Sequence, residues 1–207
     1  QTKKTQTKTP KKEVLTGPFL TRGEITYDQK TNEPITGNIE TFYDNGQLKQ
    51  KGNYKNGEKD GLWEGYHENG QLWLKENFKD GKEEGLWEEF HENGQLTLRG
   101  NYKNGKKDGL EEEFEDNGQR KSKGNYKDGK KDGLWEYYHD TGQVESTGNY
   151  KDGKKDGLRE SYQENGQLWL KENYKDGERD VLKEYYHDNG KLWVKRNYKD
   201  GKKDGLW

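Results

Sequence analysis

The chain has 207 residues, 38% of them charged and only 24% hydrophobic, and its 38 basic and 40 acidic side chains nearly cancel to a net charge of -2. So little apolar material excludes a thick globular core, and the balanced charge excludes the electrostatic footprint of a nucleic-acid binder. Without cysteine there are no disulfides, thiol chemistry or thiolate metal sites, and no apolar run approaches the roughly 20 residues that span a bilayer as a helix. Methionine is absent as well. Gln1 is therefore not a native translation start, and removal of a leader by export to the periplasm or cell surface is the expectation.

Such a composition suggests disorder, but the aromatic share of 13% argues against it, because the aromatics recur at fixed spacing. Residues 1–22 lack any period and read as a flexible, polar and basic tail. Residues 23–36 read as a degenerate half-repeat that caps a repeat array, since terminal repeats are atypical. From 37 to 204 the chain reads as seven 24-residue units, and 205–207 begin an eighth. Asn45-Gly46, Asn69-Gly70 and their equivalents to Asn189-Gly190 mark one series of turns. Asn56-Gly57, Asp80-Gly81 and their equivalents to Asp200-Gly201 mark a second.

Short alternating runs between these turns are the signature of strands and hairpins. Glycine every few residues disfavours helix. In the unit starting at Gly61, strands are predicted near Leu62–His67 and Gln71–Phe78. The first turn is read as a tight, two-residue type I′ loop at Asn69-Gly70, and the second, Lys79–Glu84, as longer. That loop sets Glu64 opposite Lys75. The first position is Glu in every unit, and the second is basic in six of seven, with Thr147 the exception. The predicted architecture is all-β: tandem hairpins in an elongated, twisted antiparallel array. Fourteen strands at ~4.8 Å make it about 65 Å long.

Three ladders run along this array. Phe42, Tyr66, Phe90, Phe114, Tyr138, Tyr162 and Tyr186 form the first; Tyr54, Phe78, Tyr102, Tyr126, Tyr150, Tyr174 and Tyr198 the second; Leu62 and its equivalents to Leu206 the third. All three are expected in the core. Two less regular positions attract a functional reading. One holds Trp63, Trp87, Trp135 and Trp207, with Glu111, Arg159 and Lys183 elsewhere; the other holds Trp73, Trp169 and Trp193, with Lys49, Thr97, Lys121 and Glu145 elsewhere. A position that accepts both Trp and charge is expected to be at least half exposed. Exposed Trp marks recognition surfaces, so Trp63, Trp73, Trp87, Trp135, Trp169 and Trp193 are the candidate binding residues. His67, His91, His139 and His187 share one repeat position, roughly 10 Å apart between neighbouring units, too far to share a metal ion. No catalytic residues, metal site or cofactor are expected.

The segments Asn101-Tyr102-Lys103-Asn104-Gly105-Lys106-Lys107-Asp108-Gly109-Leu110 and Asn125 to Trp135 resemble MORN repeats, in the bacterial variant labelled a YwqK-type antitoxin repeat. Here the unit is 24 residues long, Asp precedes the second Gly, and Val181 replaces that Gly once. The resemblance implies a curved antiparallel array used in association with proteins or membrane lipids, and the antitoxin label implies a protein partner, a toxin. The segment Trp135-Glu136-Tyr137-Tyr138 is more distantly similar to choline- and glucan-binding repeats. The expected function is thus a non-enzymatic scaffold for protein–protein interaction, with glycan or cell-wall binding through the tryptophans as the alternative. Unpaired end strands permit self-association through sheet edges.

Overall fold

A computed structural model describes residues 14–199 and 201–204. Nineteen strands form one sheet and two more form a separate hairpin, with no helix among the described residues. Ordered structure begins inside the span read as a tail. Strand β1 (Val14–Leu15) pairs parallel with β4 (Gly37–Phe42), and β2 (Phe19–Arg22) pairs with β3 (Ile25–Asp28). The apolar residues in this stretch explain the difference. Leu15 and Phe19 pack on a cluster of Ile35, Ile39, Trp63 and Phe78, covering the edge that the first repeat would otherwise expose. The remainder of the predicted tail, residues 1–13, lies outside the described residues.

The repeating unit is built from β5 (Leu48–Lys55), β6 (Glu58–Lys59), β7 (Gly61–Tyr66) and β8 (Leu72–Lys79). Strand β7 pairs antiparallel with β8 through one turn, while β5 pairs with β6 and β7 across the other. The turn types are the reverse of those expected. In the β7–β8 turn only Gly70 has positive φ, 84°. The His67 N–H donates to the Gln71 carbonyl and the Gly70 N–H to the His67 carbonyl, each at 2.8 Å. This is a three-residue loop closed by a glycine bulge. Asn69 contributes by side chain instead, its Oδ1 accepting the Gln71 N–H at 2.9 Å. The tight turn is the second one, where Asn56 (φ 52°) and Gly57 (φ 81°) are both left-handed and Lys55 faces Glu58 directly, as type I′ requires.

Glu64 nevertheless faces Lys75. The extra loop residue is cancelled by a β-bulge: Gly65 pairs with Leu74 but Tyr66 with Leu72, leaving Trp73 as the inserted residue. The same shift recurs in all seven hairpins. A bulge re-aims the side chain it carries, and these bulges fall on the second variable position.

Cross-strand pairs sort the side chains into two faces. Gly61–Phe78, Trp63–Glu76 and Gly65–Leu74 share the face termed inner, and Leu62–Asn77, Glu64–Lys75 and Tyr66–Leu72 the face termed outer. The two aromatic ladders therefore lie on opposite faces and do not form one stacked core. On the inner face the rings of Tyr54 and Phe78 meet through Trp63, edge to face, at 5.0 and 6.3 Å. The leucine row is on the outer face and much of it is open to solvent, Leu62 at 44% and Leu134 at 49%.

Outer-face charges also reach further than one hairpin. Glu64 pairs in register with Lys51 of the preceding hairpin as well as with Lys75 of its own. The ion pairs formed are Lys51–Glu64 (2.6 Å), Lys75–Glu88 (3.6 Å) and Lys123–Glu136 (2.6 Å), each joining one hairpin to the next, with Arg99–Glu112 in the same relation. Beyond Thr147 the pairing turns inward, to Lys171–Glu160 (3.5 Å) and Lys195–Glu184 (3.4 Å) within single hairpins. Glu160 has Thr147 as its neighbour on one side, so it takes the lysine on the other. Glu184 then takes Lys195. Repeats are further tied turn to turn: the Gly81, Gly105 and Gly129 N–H groups donate to the Lys59, Glu83 and Lys107 carbonyls at 3.0, 2.9 and 2.8 Å. Each unit thus contacts its neighbours, as in other repeat arrays.

Candidate functional site

The structure splits the six candidate tryptophans into two groups. Trp63 and Trp135 are not half exposed, contrary to expectation, but buried to 1% and 2% exposure, and Trp87 is partly buried. The indoles of Trp63 and Trp135 lie flat on glycines of the preceding hairpin. A Cβ on Gly52 would come within 2.2 Å of Trp63, and one on Gly124 equally close to Trp135. The indole N–H groups donate to the Asn53 and Asn125 carbonyls, both at 3.1 Å. Lysine ammoniums lie over the other side, Lys59 at 4.5 Å from the Trp63 ring and Lys131 at 3.7 Å from that of Trp135. Trp207 lies outside the described residues.

Charged residues occupy this same row because each brings a counter-charge. Glu111, 9% exposed, pairs with Lys107. Lys183, 8% exposed, meets Glu172 at 3.0 Å, and Arg159 and Arg179 reach the same carboxylate at 3.1 and 2.9 Å. Burial alone would raise Glu172, but Lys183 and Arg179 hold it below the usual carboxylate range. The signal that could have revealed a core row was the glycine series opposite it, Gly52, Gly100, Gly124 and Gly148.

Trp73, Trp169 and Trp193 sit at the bulges and are 37%, 38% and 64% exposed. The bulge turns them to the rim of the inner face, where the Trp73 indole lies against Gly65. Trp73 closes a cleft of about 330 Å³ with Tyr43, Lys49, Gln50, Gly65 and His67. At the other end Trp169, Tyr185 and Trp193 form a row with ring centroids 6.4 Å apart at both steps, and His187 lies 5.6 Å from Trp193. The histidine position ties hairpins together: His139 Nε2 lies 2.9 Å from the Tyr162 carbonyl, and Tyr43 donates its hydroxyl to the Tyr66 carbonyl at 2.7 Å.

Electrostatically the inner face is divided. In the middle units Glu76, Glu83, Glu89, Glu111 and Glu113 face inward, with Lys59 and Lys107 among them. Burial pushes Glu76 and Glu89 above the usual carboxylate range, and burial together with the surrounding carboxylates pushes Tyr102 up. In the last two units the sign reverses. Among the described residues, Arg159, Arg179, Lys183 and Arg196 face inward there, with Lys155 from the unit before, and Glu172 is the one inward-facing acid among them. Burial, followed by the nearby Arg159, lowers Lys155.

Among solved structures, a crystal structure of a mutant of S. aureus TarM in complex with Fondaparinux, alpha-GlcNAc-glycerol and UDP matches 58% of this chain and 19% of its own at 9% identity. Its TM-score is 0.25, so nothing about function can be taken from it, and the chain spans about a fifth of that protein. No curated protein matches the sequence. The sequence pattern of the MORN repeat variant matches seven segments in tandem, residues 35–56, 59–80, 83–104, 107–128, 131–152, 155–176 and 179–200. With most of its length matched and a stacked hairpin for every match, the chain belongs to the MORN repeat variant family.

Proposed function

We propose that this array is a non-enzymatic scaffold that binds a protein partner along the rim of its inner face. The observation that carries the reading is the placement of Trp73, Trp169 and Trp193. Each sits on a bulge that turns a large indole outward, although the same backbone position accepts Lys, Thr or Glu elsewhere. Exposed aromatics on a rigid sheet are the usual anchors of protein interfaces. Their backbone is fixed by the ladder, so little conformational entropy is lost on binding.

A photo-crosslinking side chain placed at position 73, 169 or 193 in cells that make the protein tests this. Capture of the same protein from these positions, and not from the outer-face position 62, is the expected result. The same flat indoles also suit stacking on sugar rings, which keeps glycan or cell-wall binding as the second reading. Glycan-array binding that disappears in Trp73→Ala, with no protein captured, would replace the first reading by the second.

A further inference from the structure

The cleft between the first two hairpins exists because of one glycine. Position 65 and its equivalents read Thr41, Gly65, Glu89, Glu113, Tyr137, Ser161 and Tyr185 along the array, so the inner face is bare at this row only here. A Cβ on Gly65 would come within 2.6 Å of the Trp73 indole nitrogen, while Gly65 does not hold a left-handed φ. The glycine therefore provides space, not backbone freedom. Trp73 lies down on this floor and walls the cleft of about 330 Å³, with Gln50 from the paired strand and the loop residues Tyr43 and His67 around it. Three polar groups border it without partners. Among the described residues, neither the Trp73 indole N–H nor the Gln50 carboxamide makes a hydrogen bond, and Lys49 makes no ion pair. The Lys49 ammonium lies 5.4 Å from the Tyr43 ring centre. Asp44 and Glu68, both exposed, line a neighbouring cleft that Lys49 also borders, but no carboxylate lines this one.

We propose that this cleft captures the last residue of a polypeptide, an apolar or aromatic one whose backbone ends in a free carboxylate. The proposal rests on the protein-scaffold reading and names the part of the partner that anchors at Trp73. The unpaired ammonium of Lys49 calls for an anion, and a charge-assisted hydrogen bond to it is stronger than a neutral one. The Gln50 carboxamide can accept the backbone N–H of the same residue. The rings of Tyr43, His67 and Trp73 offer its side chain an apolar wall. Size selects a chain end: the cleft lies near the small end of the ~300–1,000 Å³ range of ligand pockets, room for one residue but not for a chain that enters and leaves. The scarcity of polar groups selects against a sugar acid, whose ring hydroxyls would lose water and meet nothing in exchange.

The test uses the full chain and four probes: a short peptide, labelled at its N-terminus and ending in phenylalanine with a free carboxylate; the same peptide as its C-terminal amide; the same peptide extended by two glycines; and galacturonate. The free acid is expected to bind about tenfold more tightly than the amide and to lose that preference in Lys49→Gln. Its affinity is expected to fall about tenfold in Trp73→Ala and similarly in Gly65→Ala, which displaces the indole, with Trp193→Ala unchanged. Lys49 and Trp73 are exposed, and an unchanged circular dichroism spectrum accompanies each measurement. Equal binding of acid and amide, a preference that survives Lys49→Gln, undiminished binding of the extended peptide, or indifference to Trp73→Ala overturns the proposal. So does tighter binding of galacturonate through the same residues. If no peptide binds while crosslinking still captures a protein, this inference falls and the scaffold reading stands. If crosslinking captures nothing and galacturonate binds, both fall.

Discussion

The fifth and sixth hairpins of the array share one backbone and fill the same core row by opposite means. Around Trp135 the row is apolar: a glycine floor at Gly124, an indole and a lysine lid. One repeat later it is ionic: Arg159, Arg179 and Lys183 converge on Glu172, 2% exposed. A thin sheet stacked only on its neighbours thus does not demand an apolar side chain at a core position. It demands that whatever occupies the position be covered and, if charged, neutralised. The apolar solution draws on burial and packing. The ionic one breaks even as a pair, but removing one partner leaves charge stranded.

Substitutions in these hairpins and the one after them put this contrast to the test, the most damaging first. Trp135→Ala is expected to cost about 3–5 kcal/mol by leaving a cavity over Gly124, read as a lower urea midpoint. Glu172→Gln strands three cations and is expected to cost about 3 kcal/mol, measured in the same way; an unchanged midpoint would show the cluster to be solvated. Acid separates the sixth hairpin from the second and third by sign. Glu172 is held below the usual carboxylate range, so its stabilisation is present at neutral pH and is lost as pH falls through its folded value. Glu76 and Glu89 are raised by burial, so their folded environment favours the protonated form and the middle repeats gain as pH falls. Hydrogen exchange near pH 4 should therefore show protection lost around Glu172 before the strands around Glu76. A smaller effect is expected of Val181→Gly. Val181 holds φ at 67° where other units have glycine, so the change should raise the melting temperature, by about 1 kcal/mol in stability. Trp193→Ala should alter stability least, within about 0.5 kcal/mol, although it removes the most exposed aromatic of the binding row.

Much of this was legible in the sequence. The 24-residue period, the all-β class and the Glu64–Lys75 register follow from glycine spacing and charge pairing. The turns were harder because Asn-Gly serves both kinds. Whether the Asn enters the left-handed region, as Asn56 does, or caps by side chain, as Asn69 does, depends on neighbouring strands that a local reading does not contain. The two errors of loop length and bulge cancel, so the register came out right for an incomplete reason. Burial of the Trp63 row was hidden by its mixed chemistry, since Glu111 and Lys183 look exposed until their partners are placed. The bulge that exposes Trp73 leaves no local mark in composition, and only the variability of its position pointed there.

Thr147 gives the array a mechanical grain. On its N-terminal side each boundary between hairpins is cross-braced by an outer-face ion pair, whereas beyond it those pairs are spent inside single hairpins. The boundary at Thr147 itself sets a hydroxyl opposite Glu160 and Gly148 opposite Arg159. Salt, which screens exposed ion pairs, would therefore loosen the front boundaries on their outer face, while the sixth and seventh hairpins stay tied on the inner face through Glu172 to Arg179 and Lys183.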